Sequence, residues 1–163
     1  MEDKKSDLSL EVLGLFRLIF KSANKHFEAI EKSVGISGAQ LWALSEIASS
    51  PDITVNRLAK VMSLHQSTTS NLIDKMEEKG LIERTRSEQD RRVVNVRPTE
   101  QGQSILNNAP GPFKGILPDA LMRMDDKSLL DLKTNLMQLI ATMQLKSRQA
   151  VSEPLGTPIN LKQ

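Results

Sequence analysis

Apolar residues recur at helical spacing along most of the chain and alternate with polar residues in one short region. Leu8 to Lys32, Thr54 to Met62 and Gln66 to Lys79 each carry apolar residues three and four positions apart, which predicts amphipathic helices. Leu81 to Arg86 and Val93 to Arg97 instead alternate apolar and polar residues, which predicts the two strands of a hairpin. The pattern therefore predicts a mainly α protein with a small antiparallel β element.

The two short helices have clear end signals. Thr54 can cap the first helix, and Ser63 and Leu64 make a turn before the second. Gly80 follows the second helix and suits the left-handed conformation that often ends a helix. These signals predict two short helices joined by a tight turn and followed at once by the hairpin.

The second short helix has an unusual polar face. Its first two turns carry short hydroxyl and amide side chains, which can bond base edges and phosphates, and its N-terminus favours an anion. Taken alone, a helix start rich in serine and threonine is more often a capping region. The DNA contacts expected on or beside this helix are His65, Gln66, Ser67, Thr68, Ser70, Asn71 and Lys75.

The hairpin that follows concentrates positive charge. Five arginines, set against Glu88 and Asp90, leave an excess of three positive charges between residues 84 and 97. Arginine suits bidentate phosphate contacts and narrow minor grooves, although a charged hairpin on its own is usually just solvated. The five are Arg84, Arg86, Arg91, Arg92 and Arg97, of which the first four are expected to contact DNA.

The hairpin tip, Ser87 to Arg92, has no core-forming side chain. Asp90 and Arg92 lie two residues apart, where their side chains can pair and stiffen the tip. Arg91 is then free to point at DNA, although the sequence also allows Arg91 and Arg92 to exchange these roles.

Residues 37 to 102 resemble the winged helix-turn-helix of MarR-type transcriptional regulators. The family's wing signature is roughly D-x-R-x-x-x-V-x-L-T, and this chain has proline in place of the leucine. The residues that carry the resemblance are Leu41, Leu44, Leu58-Ala59, Ser67 to Ser70, Glu77 to Arg84, Asp90 to Arg92, Val96, Thr99 and Gly102, and Pro98 is the residue that departs from the signature. In the family, the second helix, here Gln66 to Lys79, is the reading helix, and the hairpin is the wing. The resemblance implies that each reading helix enters a major groove of a pseudo-palindromic DNA operator, while each wing reaches the flanking backbone or minor groove.

Both ends of the chain predict self-association. The first half of the Leu8 to Lys32 helix is apolar nearly all round, and Asp125 to Arg148 places leucines close to a heptad spacing. The resemblance implies that these regions interlock into a homodimer, and the alternative is an intramolecular bundle. The expected organisation is an N-terminal dimerisation helix (1–36), a winged helix-turn-helix DNA-binding domain (37–100), C-terminal dimerisation helices (101–151) and a flexible tail (152–163).

A helix break is predicted between the hairpin and the C-terminal helix. Thr99 to Asn108 begins a helix, but Pro110-Gly111-Pro112 must end or kink it. We expect a turn at 109–114 and a second helical piece from Leu117 to Arg123.

Composition narrows the function further. The formal net charge is only +2, so the local arginine cluster fits targeted DNA contact better than general coating of polyanions. The chain has no cysteine, which excludes disulfides and thiol-based redox sensing. The apolar stretch Val12 to Phe20 is short and carries Arg17, so no membrane span is expected, and cytoplasmic localisation is the expectation.

Neither a metal site nor a catalytic site is indicated. His26 and His65 lie on different predicted elements, and no glycine-rich phosphate loop or paired-carboxylate motif is present, so neither an enzyme nor a bound cofactor is expected. Two alternatives remain: an architectural DNA-binding protein without an effector, and a winged-helix module that binds protein. Salt-dependent affinity for one specific palindrome separates them.

The resemblance also implies a small effector, often an aromatic or phenolic anion, bound between the dimer region and the winged unit. Aromatic side chains could form its apolar wall, and a basic side chain could hold a carboxylate. The alternative is that each aromatic residue simply belongs to the core. The candidates are Phe16, Arg17, Phe20, His26, Trp42 and Phe113.

Overall fold

The computed structural model describes residues 2–50, 52–87 and 93–143 and is mainly helical. Its helices are α1 (Glu2–Val34), α2 (Gly38–Ser49), α3 (Val55–Val61), α4 (Gln66–Glu78), α5 (Glu100–Asn108), α6 (Ile116–Met122) and α7 (Asp126–Thr142). Its strands are β1 (Ile53–Thr54), β2 (Ile82–Arg86) and β3 (Val94–Pro98). The predicted mainly α fold with a small antiparallel wing is confirmed.

The three strands form one antiparallel sheet in the order β1-β3-β2. In the hairpin, Glu83 lies opposite Arg97 and Arg84 opposite Val96. β1 adds two residues on the other side of β3, with Ile53 opposite Val96. The sequence did not predict β1, because two residues are too few to show a period.

Side-chain caps explain where most of the helices begin. Ser37 and Gln40 form a reciprocal capping box at the start of α2, and Thr54 accepts from the Arg57 N–H at 3.2 Å to start α3. The Thr99 hydroxyl donates to the Gly80 carbonyl at 2.7 Å and accepts from the Gly102 N–H at 3.1 Å. The proline that precedes Thr99 therefore does not disturb the passage from β3 into α5.

The hydrophobic core lies under α2, α3, α4 and the sheet. Leu44 and Leu58 are fully buried there, as are Ile73 and Val96, while α1 contributes Ile30 from its second half. α5 packs closely against the backbone at Leu81, since a Cβ at Gly102 would stand 2.1 Å from the Leu81 carbonyl oxygen. The helix-turn-helix and the sheet thus share one continuous core.

The first half of α1 and the described part of α7 lie outside this core. Leu15 and Leu18 on α1 are 61% and 62% exposed, and Leu130 and Met137 on α7 are 60% and 61% exposed. Within its described residues, α7 buries no side chain. The predicted continuation to Arg148 and the predicted tail at 152–163 lie outside the described residues.

The predicted break between α5 and α6 is confirmed. α5 ends at Asn108 and α6 begins at Ile116, with a cis peptide bond between Gly111 and Pro112. The ring of His26 on α1 forms a hydrogen bond of 3.1 Å from Nε2 to the Pro112 carbonyl. This bond ties the turn to the second half of α1.

No helix among the described residues is long and apolar enough to cross a membrane.

Candidate nucleic-acid interface

The start of α4 is held firmly from its inner side. Thr69, Ile73 and Met76 are fully buried on that side. The Thr69 hydroxyl and its backbone N–H both donate to the His65 carbonyl, each at 3.0 Å. The first two turns of α4 are therefore fixed against the core, and this sets the direction of the outer face.

That outer face brings together the predicted reading residues. Gln66, Ser67 and Asn71 are exposed, and Ser70 is half-buried beside them. The first backbone N–H groups of a helix have no intrahelical partner, and the helix dipole places positive charge there. The start of α4 can therefore offer hydroxyls, amides and backbone donors to a single anionic surface.

Three further predicted contacts flank this face. His65 is exposed at the N-cap position, and its side chain makes no capping bond to the helix described here. Lys75 is exposed one turn beyond Asn71, whereas Thr68 is half-buried. His65 and Lys75 thus extend the face at its two ends, and Thr68 has less surface to offer.

β2 carries two arginines on one side, and they have different surroundings. Arg84 pairs with Asp74 and with Glu77, the latter at 3.4 Å between Nε and Oε2, and both carboxylates lie on α4. Arg86, two residues nearer the hairpin tip, is exposed and forms no ion pair within the described part of the chain. Arg84 therefore fastens the hairpin to α4, while Arg86 is available to a phosphate. The sequence offered one signal for this pairing, two carboxylates three residues apart on α4, but no indication of which arginine they would meet.

The remaining arginine of the described hairpin is paired on the opposite side of the sheet. The Arg97 guanidinium makes a bidentate ion pair with Asp52, a residue that the sequence reasoning did not single out. The hydrogen bonds from Arg97 lower the pKa of the Asp52 carboxyl below its ordinary value, and Asp52 in turn raises the pKa of Arg97. Both groups stay charged in the neutral range.

The predicted tip contacts Arg91 and Arg92, with the predicted stiffening pair Asp90 and Arg92, lie outside the described residues.

A small cleft of about 40 Å³ opens between α1, α2, the turn after α3 and the segment leading into α6. A volume of this size holds only a few water molecules. At its edge, Glu46 accepts from Trp42 Nε1 at 3.0 Å and pairs with Lys114 Nζ at 2.9 Å. The residues that line the cleft are Phe27, Gly38, Ala39, Trp42, Met62, Leu64, Lys114 and Pro118.

The structure does not bring the predicted effector residues together. Of the six, Trp42 lines the cleft. Phe16 stacks on Phe20 with ring centroids 6.4 Å apart, and Phe20 is 59% exposed in the first half of α1. The physical reason is distance, because ten residues separate Phe16 from His26 and ten residues of helix span about 15 Å.

The three other members of the predicted effector set also lack a common site. Arg17 is exposed on the first half of α1, and the His26 ring is engaged by the Pro112 carbonyl. Phe113 packs against the hydrophobic core. Phe27 and Lys114, which the sequence reasoning missed, line the cleft in their place.

Among the described residues, no group of three or more histidine, aspartate or glutamate side chains is arranged to hold a metal ion.

Comparisons with known proteins agree with this geometry. A sequence profile of the MarR family matches residues 34–93. The chain is 29% identical over 152 residues to the organic hydroperoxide resistance transcriptional regulator of Bacillus subtilis, covering 90% of this chain and 100% of that protein. It is 28% identical over 125 residues to the transcriptional repressor MdtR of Bacillus subtilis, covering 77% of this chain and 78% of the repressor.

A solved complex with DNA shares the fold. The structure of MepR from S. aureus bound to DNA superposes with a TM-score of 0.56 at 25% sequence identity. The match covers 80% of this chain and 96% of that one.

Proposed function

Since the chain belongs to the MarR family of winged helix-turn-helix, DNA-binding transcriptional regulators, we propose that it acts as a homodimeric repressor of a pseudo-palindromic operator. In this proposal α4 enters the major groove, and the wing reaches the flanking backbone or minor groove. The observation that carries it is the start of α4, where Ser67 and Asn71 are exposed directly opposite a fully buried stripe and Gln66 is exposed beside them.

The contacts divide by their chemistry. Ser70 and Asn71 lie on the outer face, where short polar groups can read base edges, and Gln66 and Ser67 lie beside the free N–H groups of the first turn. His65, Thr68 and Lys75 would add contacts to phosphate and sugar. On the wing we assign phosphate contact to Arg86, Arg91 and Arg92, and a smaller share to Arg84 because two carboxylates already face it.

The homodimer is supported by the exposed apolar side chains at the two ends. We assign residues 1–36 and 101–151 to dimerisation and 37–100 to DNA binding. Soluble monomers rarely expose so many large apolar side chains together, and a second copy of the same helices can cover them symmetrically. The exposed apolar residues concerned are Leu8, Leu10, Val12, Leu13, Leu15, Leu18, Ile19 and Phe20 on α1, and Leu129, Leu130, Met137, Leu139 and Ile140 on α7.

The test starts from selection of duplexes by the protein from a random-sequence pool. The proposal expects a pseudo-palindromic consensus with half-sites about one helical turn apart, and an affinity that falls steeply with salt. Steep salt dependence without sequence preference would indicate an architectural protein instead. A flat salt response without selection would indicate a protein-binding module.

The finer part of the proposal is relief of repression by a small aromatic acid at the cleft. Phe27, Trp42 and Met62 provide apolar walls, and Lys114 brings to the rim an ammonium group for which an acid must compete with Glu46. Because the cleft is small, an aromatic acid must widen it, and Leu64 on its wall lies two residues before α4. Widening would thus shift the reading helix and change its DNA affinity.

Trp42 reports on this directly, because it is the chain's single tryptophan. A panel of aromatic acids is added to the protein–DNA complex, and both Trp42 fluorescence and DNA release are recorded. The proposal expects at least one acid to change both signals at the same concentration. A panel that changes neither signal would remove the effector while leaving DNA binding intact.

A further inference from the structure

Arg97 forms an ion pair with Asp52 at the end of the hairpin that is remote from its tip. Its Nε donates to Asp52 Oδ1 at 2.6 Å and its Nη2 to Asp52 Oδ2 at 3.0 Å, which is the bidentate geometry that arginine and carboxylate favour. Arg97 lies on β3, the central strand, and Asp52 directly precedes β1. The ion pair therefore joins the wing to the segment that opens the helix-turn-helix.

Beside the ion pair, this junction is held by the burial of Ile53 and Val96 in the core and by one short strand pair. β1 pairs with β3 over two residues, Ile53 opposite Val96 and Thr54 opposite Asn95. A strand pair of that length contributes little order by itself. Since Thr54 also caps α3, any movement of β1 relative to β3 moves the wing relative to the helices that carry the reading face.

The backbone at Asp52 is set by its own turn. Its φ is 65°, in the left-handed region, and the following Ile53 N–H bonds the Ser50 carbonyl at 3.1 Å. Aspartate and asparagine are the residues, after glycine, that adopt this conformation most readily. Asparagine can therefore replace Asp52 with the turn kept, so that the substitution removes the negative charge and one of the two acceptor oxygens without disturbing the backbone.

We propose that Asp52 and Arg97 are positioning residues for DNA binding, which hold the wing at the angle that lets wing and reading helix engage one duplex. Arg97 then acts through Asp52 and is not a phosphate ligand. The inference rests on the DNA-binding function proposed above. Positioning and simple electrostatics predict opposite changes in DNA affinity when the Asp52 charge is removed. By electrostatics alone, the more positive protein binds a polyanion more strongly. Positioning predicts weaker binding.

The experiment compares Asp52→Asn, Arg97→Gln and the double variant on a duplex selected by the wild-type protein, over a range of salt concentrations. Each single variant is expected to bind about two- to fivefold more weakly, as suits an exposed ion pair, with the salt slope unchanged. The double variant is expected to match the single ones, because either substitution already ends the same pair. Arg86→Gln is the control, and it should reduce the slope by about one phosphate contact.

Two binding results would overturn the inference: tighter binding by Asp52→Asn, or a salt slope lowered by Arg97→Gln as much as by Arg86→Gln. Amide hydrogen exchange of the free protein adds a second measurement that needs no DNA. Asp52→Asn should speed exchange in β1 and β3, and unchanged exchange there would also contradict the bracing role. If the wild-type protein selects no duplex, the proposed function fails, while exchange still decides whether the pair holds the wing.

Discussion

The segment from α2 to β3 and the first half of α1 differ in whether their apolar side chains are buried. In the former, Leu44, Ile73 and Val96 are fully buried in one shared core. In the latter, Leu15 and Leu18 are more than half exposed although they belong to a long helix. The segment from α2 to β3 completes its core within one chain, whereas the first half of α1 leaves apolar surface that no described part of the chain covers.

The largest effect is expected from a cavity in the buried core. Ile73→Ala removes a fully buried side chain from the inner side of α4, and the cavity is expected to lower the free energy of unfolding by about 2–5 kcal/mol. Chemical denaturation measures the loss. Leu72→Ala, at a half-buried position on the same helix, is the control and should cost clearly less. Equal losses would mean that α4 is not fixed through its inner stripe.

The opposite perturbation places a charge on the uncovered end. Leu15→Asp is expected to weaken dimerisation by about 2–3 kcal/mol, because a leucine leaves the interface and an unpaired carboxylate enters it. Sedimentation velocity would show a shift toward monomer. The same charge added by Asn24→Asp, at an exposed position on the second half of α1, should leave the assembly unchanged. A Leu15 variant that sediments like the wild type would argue for an intramolecular role of this half.

A substitution on the outer face of α4 is expected to change DNA specificity and not dimerisation. Asn71→Ala is expected to cost about 1–3 kcal/mol of DNA affinity and to relax preference at one base position, if the amide makes a bidentate base contact. Competition between duplexes that differ at single positions measures both quantities. Uniform weakening on all duplexes would instead make Asn71 a phosphate contact. Asn24→Ala, remote from α4, controls for general effects.

The smallest expected effect concerns the wing tip. Arg91→Ala should weaken binding and flatten the salt dependence by about one phosphate contact, whereas Asp90→Ala should weaken binding with the slope preserved. Titrations at several salt concentrations distinguish the two variants. If the Arg91 variant keeps the wild-type slope and an Arg92 variant loses one phosphate contact, Arg92 is the residue that contacts DNA and Arg91 is the partner of Asp90.

Local signals predicted the elements well, because the physics that sets them is local. Thr54 and Thr99 cap helices, and Gly80 adopts a φ of 68° after α4, as their positions in the sequence indicate. The outer face of α4 also follows from spacing alone, since a helix that buries Thr69 and Ile73 must turn Asn71 outward.

Contacts between distant segments could not be predicted in the same way. The pairs Asp52–Arg97 and Asp74–Arg84 join residues 45 and 10 positions apart. Whether an arginine meets a phosphate or a carboxylate depends on the path of the chain, and the charge count between residues 84 and 97 carries no information on that path. The predicted effector residues are likewise not brought together within one chain, because Phe16, Phe20 and His26 are spread over several turns of α1.

The central claim is that one chain supplies a complete reading unit and two chains supply the functional molecule. Native mass spectrometry of the protein on a selected palindromic duplex counts the chains directly. The account predicts two chains per duplex, with no one-chain complex even when DNA is in excess. A stable complex of one chain per duplex, which gains a second chain only as the protein concentration rises, would contradict it.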